Sequence, residues 1–225
     1  MNVMASLAIR AAYRELAPAF ERQQKEKIQT QWLGMADIRK RILAGETTDV
    51  VIGSATLIED LTNAGYLDSR SRTNLAKSEI GAAVRAGARK PDIGSVEALK
   101  NALRAAKSIV YSSGPSGVYL AELFQRFGIA EELKSKAKQA PPGVLVGEMV
   151  ARGDFELCFQ QVSELRQVRG IDYVGRLPRE VQLSTVFSGA VHSRSAQSKP
   201  GSELLHHLAS RESQRILRKH GLEPA

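Results

Sequence analysis

Short apolar runs alternate with amphipathic stretches along most of the 225 residues. That alternation is the signature of strands each followed by a covering helix. Residues 2–6 predict a first strand, and residues 7–24 a helix with Ala8, Ala12, Leu16 and Ala19 near one face. Pro18 is expected to bend the end of that helix. Residues 28–33 predict a second strand, and Gly34-Met35-Ala36 leads into a helix over 37–44 that Gly45 closes. Residues 49–53 are almost wholly apolar, as a parallel strand covered on both faces should be. Ser54 and Ala55 then lead into a helix over 57–64. A strand over 75–85 precedes a helix over 96–105 with Ser95 as its cap. A short strand over 108–111 ends in Ser112-Ser113-Gly114-Pro115-Ser116-Gly117, which opens a helix over 118–127. After the turn Ala140-Pro141-Pro142-Gly143 come a helix over 144–151, strands over 157–160, 171–174 and 184–191, and one long terminal helix over 202–220.

Three of the strand-to-helix junctions carry small polar residues: Ala5-Ser6-Leu7, Leu33-Gly34-Met35-Ala36, and 112–117. Each sets the unpaired amides of a helix start beside a hydroxyl or a bare backbone. Those amides and the positive end of the helix dipole can bind an anion without a charged side chain. In open α/β sheets, ligands gather at the carboxyl ends of strands. The plainer alternative is that serine and glycine at helix starts act only as caps.

Composition narrows the choice. Net charge is +8, yet the basic residues are spread over predicted helices (Arg10, Arg14, Arg22, Lys25, Arg39, Lys40, Arg41) with acidic residues among them. A solvated basic surface is expected rather than a nucleic-acid site. An aromatic content of 5% also argues against a stacking platform for single strands. Cys158, the single cysteine, lies in the apolar stretch Glu156-Leu157-Cys158-Phe159 and reads as a buried, inert thiol. No segment has the ~20 apolar residues needed to span a bilayer. The start of the chain has no signal-peptide pattern, so the protein is expected to be cytoplasmic or to have lost a leader. No P-loop, dinucleotide-binding glycine pattern, nucleophile elbow or zinc spacing is present. His206, His207 and His220 fall in or beside the terminal helix and His192 falls before it. No catalysis, cofactor or metal is therefore expected.

Several stretches together carry a family resemblance. They are Met4-Ala5-Ser6-Leu7, Glu15 to Glu21, Ile42 to Ile52 (similar to a "G-x-x-A-D-V-x" lead into a strand), and Gly114 to Tyr119 (similar to a "P-A-G-x-Y" helix start). Gly189 and Gly221-Leu222-Glu223-Pro224 complete the set. The chain resembles the molybdate-binding proteins of ABC transporters, which have the type-two periplasmic binding fold. That resemblance implies a tetrahedral oxyanion held by hydroxyls and amides. Ser6 matches the first ligand serine. Gly34 stands where the second serine would be, and Ser116 where a helix-start alanine would be. The backbone contact falls near Gly143 or Val144. Phe159 stands where a ligand tyrosine would be, beside Gln160 and Gln161. Two of the five positions thus lack their hydroxyl. Weak or no molybdate binding is expected, and a small organic acid fits as well, with Gln160 or Gln161 as its polar contact.

The expected fold class is α/β: a two-lobed, type II periplasmic-binding-protein-like chain, each lobe a mostly parallel sheet flanked by helices. Lobe one is expected at 1–76 plus 185–225 and lobe two at 77–184, with a hinge at the two crossovers. The expected function is capture of a small anion for an ABC transporter, through Ser6, Gly34, Met35, Ser54, Ser116, Gly117, Phe159 and Gln160. Partners are expected to be that anion and a permease, with no nucleic acid, no membrane insertion and a monomeric state. The resemblance implies a periplasmic location. The alternatives are an effector-sensing subunit related to transcription regulators and an enzyme acting in the cleft.

Overall fold

In the computed structural model, which describes residues 1–225, three β-α steps open the chain. Strand β1 (Asn2–Ser6) runs through a 3-10 turn (Leu7–Ile9) into α1 (Arg10–Gln24). Strand β2 (Gln29–Leu33) leads to α2 (Met35–Leu43), and β3 (Val50–Ser54) to α3 (Ala55–Asn63). The long β4 (Thr73–Arg85) follows, then α4 (Val96–Ala105), β5 (Ile109–Tyr111), α5 (Pro115–Arg126), α6 (Ala130–Leu133) and β6 (Ala137–Gln139). Next come α7 (Val146–Arg152), β7 (Leu157–Gln161), α8 (Val162–Leu165) and β8 (Ile171–Arg176). Strand β9 (Ser184–Val191), helices α9 (Ser198–Ala209) and α10 (Gln214–Lys219), and the short β10 (Glu223–Pro224) close the chain.

The chain divides into two compact units, Met1–Ser78 with Thr185–Ala225, and Glu79–Ser184. It leaves the first unit inside β4 and returns to it at the start of β9.

In the first unit the strand order is β2-β1-β3-β9-β4, with β10 also on β4. Strand β1 is parallel to β2 and β3, while β9 runs antiparallel to β3. Successive side chains of a strand point to opposite faces. Val3, Ala5, Val50 and Ile52 accordingly join one core with Leu16 and Phe20 of α1 and Leu204, Leu205 and Leu208 of α9. Met4 and Val51 face the other way and pack with Ile38 and Ile42 of α2 and Ile58 and Leu61 of α3. Both faces are covered, which is why these strands read as continuous apolar runs.

The second unit repeats the plan. Strands β5, β6 and β7 are parallel, and β4 lies antiparallel to β7 and β8. Ile80, Ala82, Ile109, Leu157 and Phe159 face α4, α5 and α6 through Leu99, Leu103, Leu120, Leu123 and Leu133. Ala83, Val110 and Cys158 face α7 and α8 through Val146, Val150 and Leu165.

Three features differ from the sequence expectation. Helix α5 begins at Pro115, because proline suits the first helical turn, where its missing amide is not needed. The terminal helix is two helices. Ser213 donates its hydroxyl to the His207 carbonyl at 2.7 Å, and Ser210 Oγ accepts the Ser213 amide at 3.3 Å. These side-chain bonds offer the backbone an alternative to the helical ladder at 210–213. Finally, α6, β6 and α8 carry no periodic signal, being three or four residues each.

Candidate functional site

In the first unit, register aligns the ends of the three parallel strands. Ser6 stands opposite Leu33, and Ala5 opposite Ile52. Ser6, Gly34 and Ser54 therefore lie side by side on one carboxyl edge, separated by strand steps of about 4.8 Å. Ser6 Oγ accepts the Ala8 amide at 3.2 Å, and Ser54 Oγ accepts the Leu57 amide at 3.2 Å. A hydroxyl that accepts from its own helix still has its proton to donate outward. Gly34 caps α2 through its backbone alone, so the first-turn amides of that helix have no side-chain cap. Met35 contributes more than its amide, since its Sδ accepts the Ser54 amide at 3.4 Å.

Arg10 lies outside the set of residues that the sequence leads one to expect at the site. It opens α1, immediately beyond the turn that follows β1, and is partly buried. A cation at a helix start opposes the macrodipole. That placement is the one signal in the sequence that something other than helix stability keeps it there.

The second unit has a corresponding edge. Tyr111 of β5 stands opposite Gln139 of β6 and Phe159 of β7. Just past β5, Ser112 Oγ and Ser116 Oγ lie 2.9 Å apart, both buried. Gly117 lets the start of α5 seat on this loop, because a Cβ there would collide with the Ser112 carbonyl. At the end of β7, Gln160 Oε1 accepts the Val146 amide at 3.0 Å, and its Nε2 donates to the Val144 carbonyl at 3.3 Å. The Gln160 amide is thereby engaged in holding the start of α7. The Phe159 ring lies in the apolar core with Leu120 and Ile80, so this residue presents only backbone to the edge. Gln161 and Ser163 are buried at the β7–α8 step, and Glu164 sits partly buried in the first turn of α8. Glu164 carried no sequence signal, because the helix that places it has four residues.

The remaining chemistry lies elsewhere. Burial pushes the Cys158 thiol up to about 12, and its Sγ donates to the Ala83 carbonyl at 3.5 Å. It cannot supply a thiolate. His192 is buried and follows β9, beside Asp49 at the amino end of β3 and so away from the carboxyl edge. His220 pairs with Glu15 at 2.8 Å on the surface. No helix is long and apolar enough to cross a membrane.

Comparison with known proteins places these edges in context. The family described as bacterial extracellular solute-binding protein matches residues 1–223. A relative from Pseudomonas sp. named aconitate isomerase is 38% identical over 230 residues, covering 100% of this chain and 87% of its own. The periplasmic molybdate-binding protein of Azotobacter vinelandii superposes with a TM-score of 0.82 at 16% identity, covering 99% of this chain and 98% of its own. A sulfate-binding protein from Mycobacterium tuberculosis gives 0.79 at 17% identity, over 100% of this chain and 86% of its own. These likenesses establish the α/β fold of periplasmic binding proteins.

The expectation that the chain catalyses nothing is overturned by the full-length relative, whose name is that of an enzyme. The physical reason for the error is specific. A missing nucleophile–base pair argues against acyl transfer and hydrolysis. Moving a proton within a bound acid needs only one positioned acid–base group, which leaves no spacing motif.

Proposed function

The chain belongs to the bacterial extracellular solute-binding proteins, and from that premise we propose that it binds a small unsaturated polycarboxylate and interconverts its isomers, with aconitate as the substrate. The full-length relative at 38% identity carries the proposal. The chemistry of the two edges supports it. Helix-start amides and the Ser6 and Ser54 hydroxyls suit carboxylate oxygens. Arg10 adds a guanidinium, whose paired donors match a carboxylate fork.

The reaction needs no co-reactant. Aconitate is propene-1,2,3-tricarboxylate. A base takes a proton from the methylene carbon, and the electron pair forms a new double bond to the central carbon. The original double bond takes a proton at its far carbon. The product has the same skeleton with the double bond moved, so the shift exchanges cis and trans forms. Glu164 is the carboxylate we assign to carry that proton, by its place in the first turn after β7. Membership of the solute-binding family, together with a neighbour from a molybdenum ABC transporter, favours a second role: delivery of the same acid to a permease.

The test is proton NMR of purified protein with each aconitate isomer in deuterated water. Interconversion with deuterium entering the methylene position is expected, and Glu164→Gln should keep binding while losing turnover. In parallel, a ligand at a hundredfold excess over its Kd should stabilise the protein by about 2.7 kcal/mol. No conversion, together with no stabilisation by either isomer, would overturn the proposal.

A further inference from the structure

We infer that the Met35 thioether selects an acid with a hydrocarbon centre over a fully oxygenated anion. The inference rests on the polycarboxylate function proposed above and names the residue that sets its specificity.

The backbone amide of Ser54, at the start of α3, donates to Met35 Sδ at 3.4 Å. Sulfur is a weak acceptor. In the first unit the strand order is β2-β1-β3. Met35 follows β2 and Ser54 ends β3, the two strands that flank β1, so the Met35 side chain links the β2–α2 junction to the β3–α3 junction. The neighbouring residues make room for it. A Cβ at Gly53 would lie 3.3 Å from Met35 Sδ and 2.8 Å from Leu57 Cδ2, so the bare backbone at the end of β3 admits the sulfur. Met35 packs against both cores of the unit while staying partly exposed.

The carboxyl edge therefore sets an apolar group among hydroxyls. A soft thioether covers the Ser54 amide beside the Ser54 hydroxyl, the Ser6 hydroxyl ends the neighbouring strand, and Gly34 adds no hydroxyl. A tetrahedral oxyanion needs donors on nearly every oxygen and would have to displace the sulfur to reach this one. A carbon–carbon double bond or methylene group lies against a thioether favourably, and its carboxylates reach the neighbouring hydroxyls. Carboxylates joined by a hydrocarbon unit match the pattern, whereas sulfate and molybdate do not.

The experiment is calorimetric titration of the full chain, wild type and Met35 variants, with trans-aconitate, cis-aconitate, sulfate and molybdate. The quantity read is the ratio of oxyanion Kd to aconitate Kd within each protein, which does not depend on how much of a variant folds. Met35→Ala uncovers the Ser54 amide and removes the apolar cover, so the ratio should fall about tenfold or more. Met35→Leu keeps apolar bulk and should keep the preference within about threefold. A Met35→Ala ratio within about twofold of wild type would overturn the inference. So would a Leu variant that lost the preference as fully as Ala. Wild-type protein that bound aconitate alongside either result would leave the proposed function standing. Wild-type protein that bound neither isomer would overturn both.

Discussion

Replacing Gln160 by leucine separates a residue that holds the fold of the edge from one that touches ligand. Gln160 is buried, with its Oε1 accepting the Val146 amide at 3.0 Å and its Nε2 donating to the Val144 carbonyl at 3.3 Å. Val146 is itself fully buried, so water cannot replace the lost acceptor. Two groups lose their partner, the Val146 amide and the Val144 carbonyl, and a buried polar group left unpaired costs about 1–3 kcal/mol each. Leucine has a similar volume, which keeps any cavity small, and its apolar burial returns part of the loss. The net destabilisation should be about 2–4 kcal/mol. For a chain of this length each kcal/mol moves the melting midpoint by about 2–4 °C, so a drop of roughly 5–15 °C is expected. Differential scanning calorimetry with and without aconitate decides it. If Gln160 holds the α7 start, the ligand-free midpoint falls. A ligand-free midpoint within about 2 °C of wild type, with the ligand-induced shift abolished, would refute the argument and make Gln160 a direct contact.

Three further outcomes follow from single residues. Gly117→Ala sets a Cβ against the backbone carbonyl of Ser112, which cannot rotate away, and should lower the denaturant midpoint by the equivalent of about 3 kcal/mol or more; an unchanged midpoint would show that the α5 start has slack. Burial and the nearby Arg194 hold the His192 imidazole below its ordinary value of 6.5, with Asp49 opposing in part. The unfolded chain then takes the proton first, so this contribution to stability is intact above about pH 6.5 and is lost as pH falls through the lower folded value. Urea unfolding from pH 7.5 to 5 should show that fall in wild type and a shallower one in His192→Gln, and equal slopes would count against it. Cys158, its thiol pushed up to about 12 by burial, should ignore a thiol-specific disulfide reagent at pH 8 in the native protein and react fully once guanidinium unfolds it. Rapid native reaction would place it at the surface.

The order of strands and helices was legible from the chain because its causes are local. Continuous apolar runs at Val3-Met4-Ala5 and Val50-Val51-Ile52 mark strands covered on both faces, and Ser54 and Ser95 cap the helices that follow them. The edge positions Ser6, Gly34, Ser54 and Ser116 were legible for the same reason, since a helix start carries its own composition. Elements of three or four residues such as α6, β6 and α8 were not legible. They are too short to show a period and exist through the contacts around them. The break at 210–213 depends on which partners the Ser210 and Ser213 side chains choose, an outcome that helix propensity does not encode.

The sequence alone determined the α/β class, the strand-to-helix junctions at Ser6, Gly34 and Ser54 and the inertness of the single thiol, because capping, periodicity and apolar context act within a few residues. Tertiary structure alone decided what those starts can offer. Gln160 reads as a free amide in the chain, yet it is occupied by a loop 14 and 16 residues away. The Ser54 amide reads as an open anion donor, yet a sulfur 19 residues distant covers it. A hydrogen bond between residues far apart in sequence is set by strand order and register, and those emerge only when the whole sheet closes its two cores.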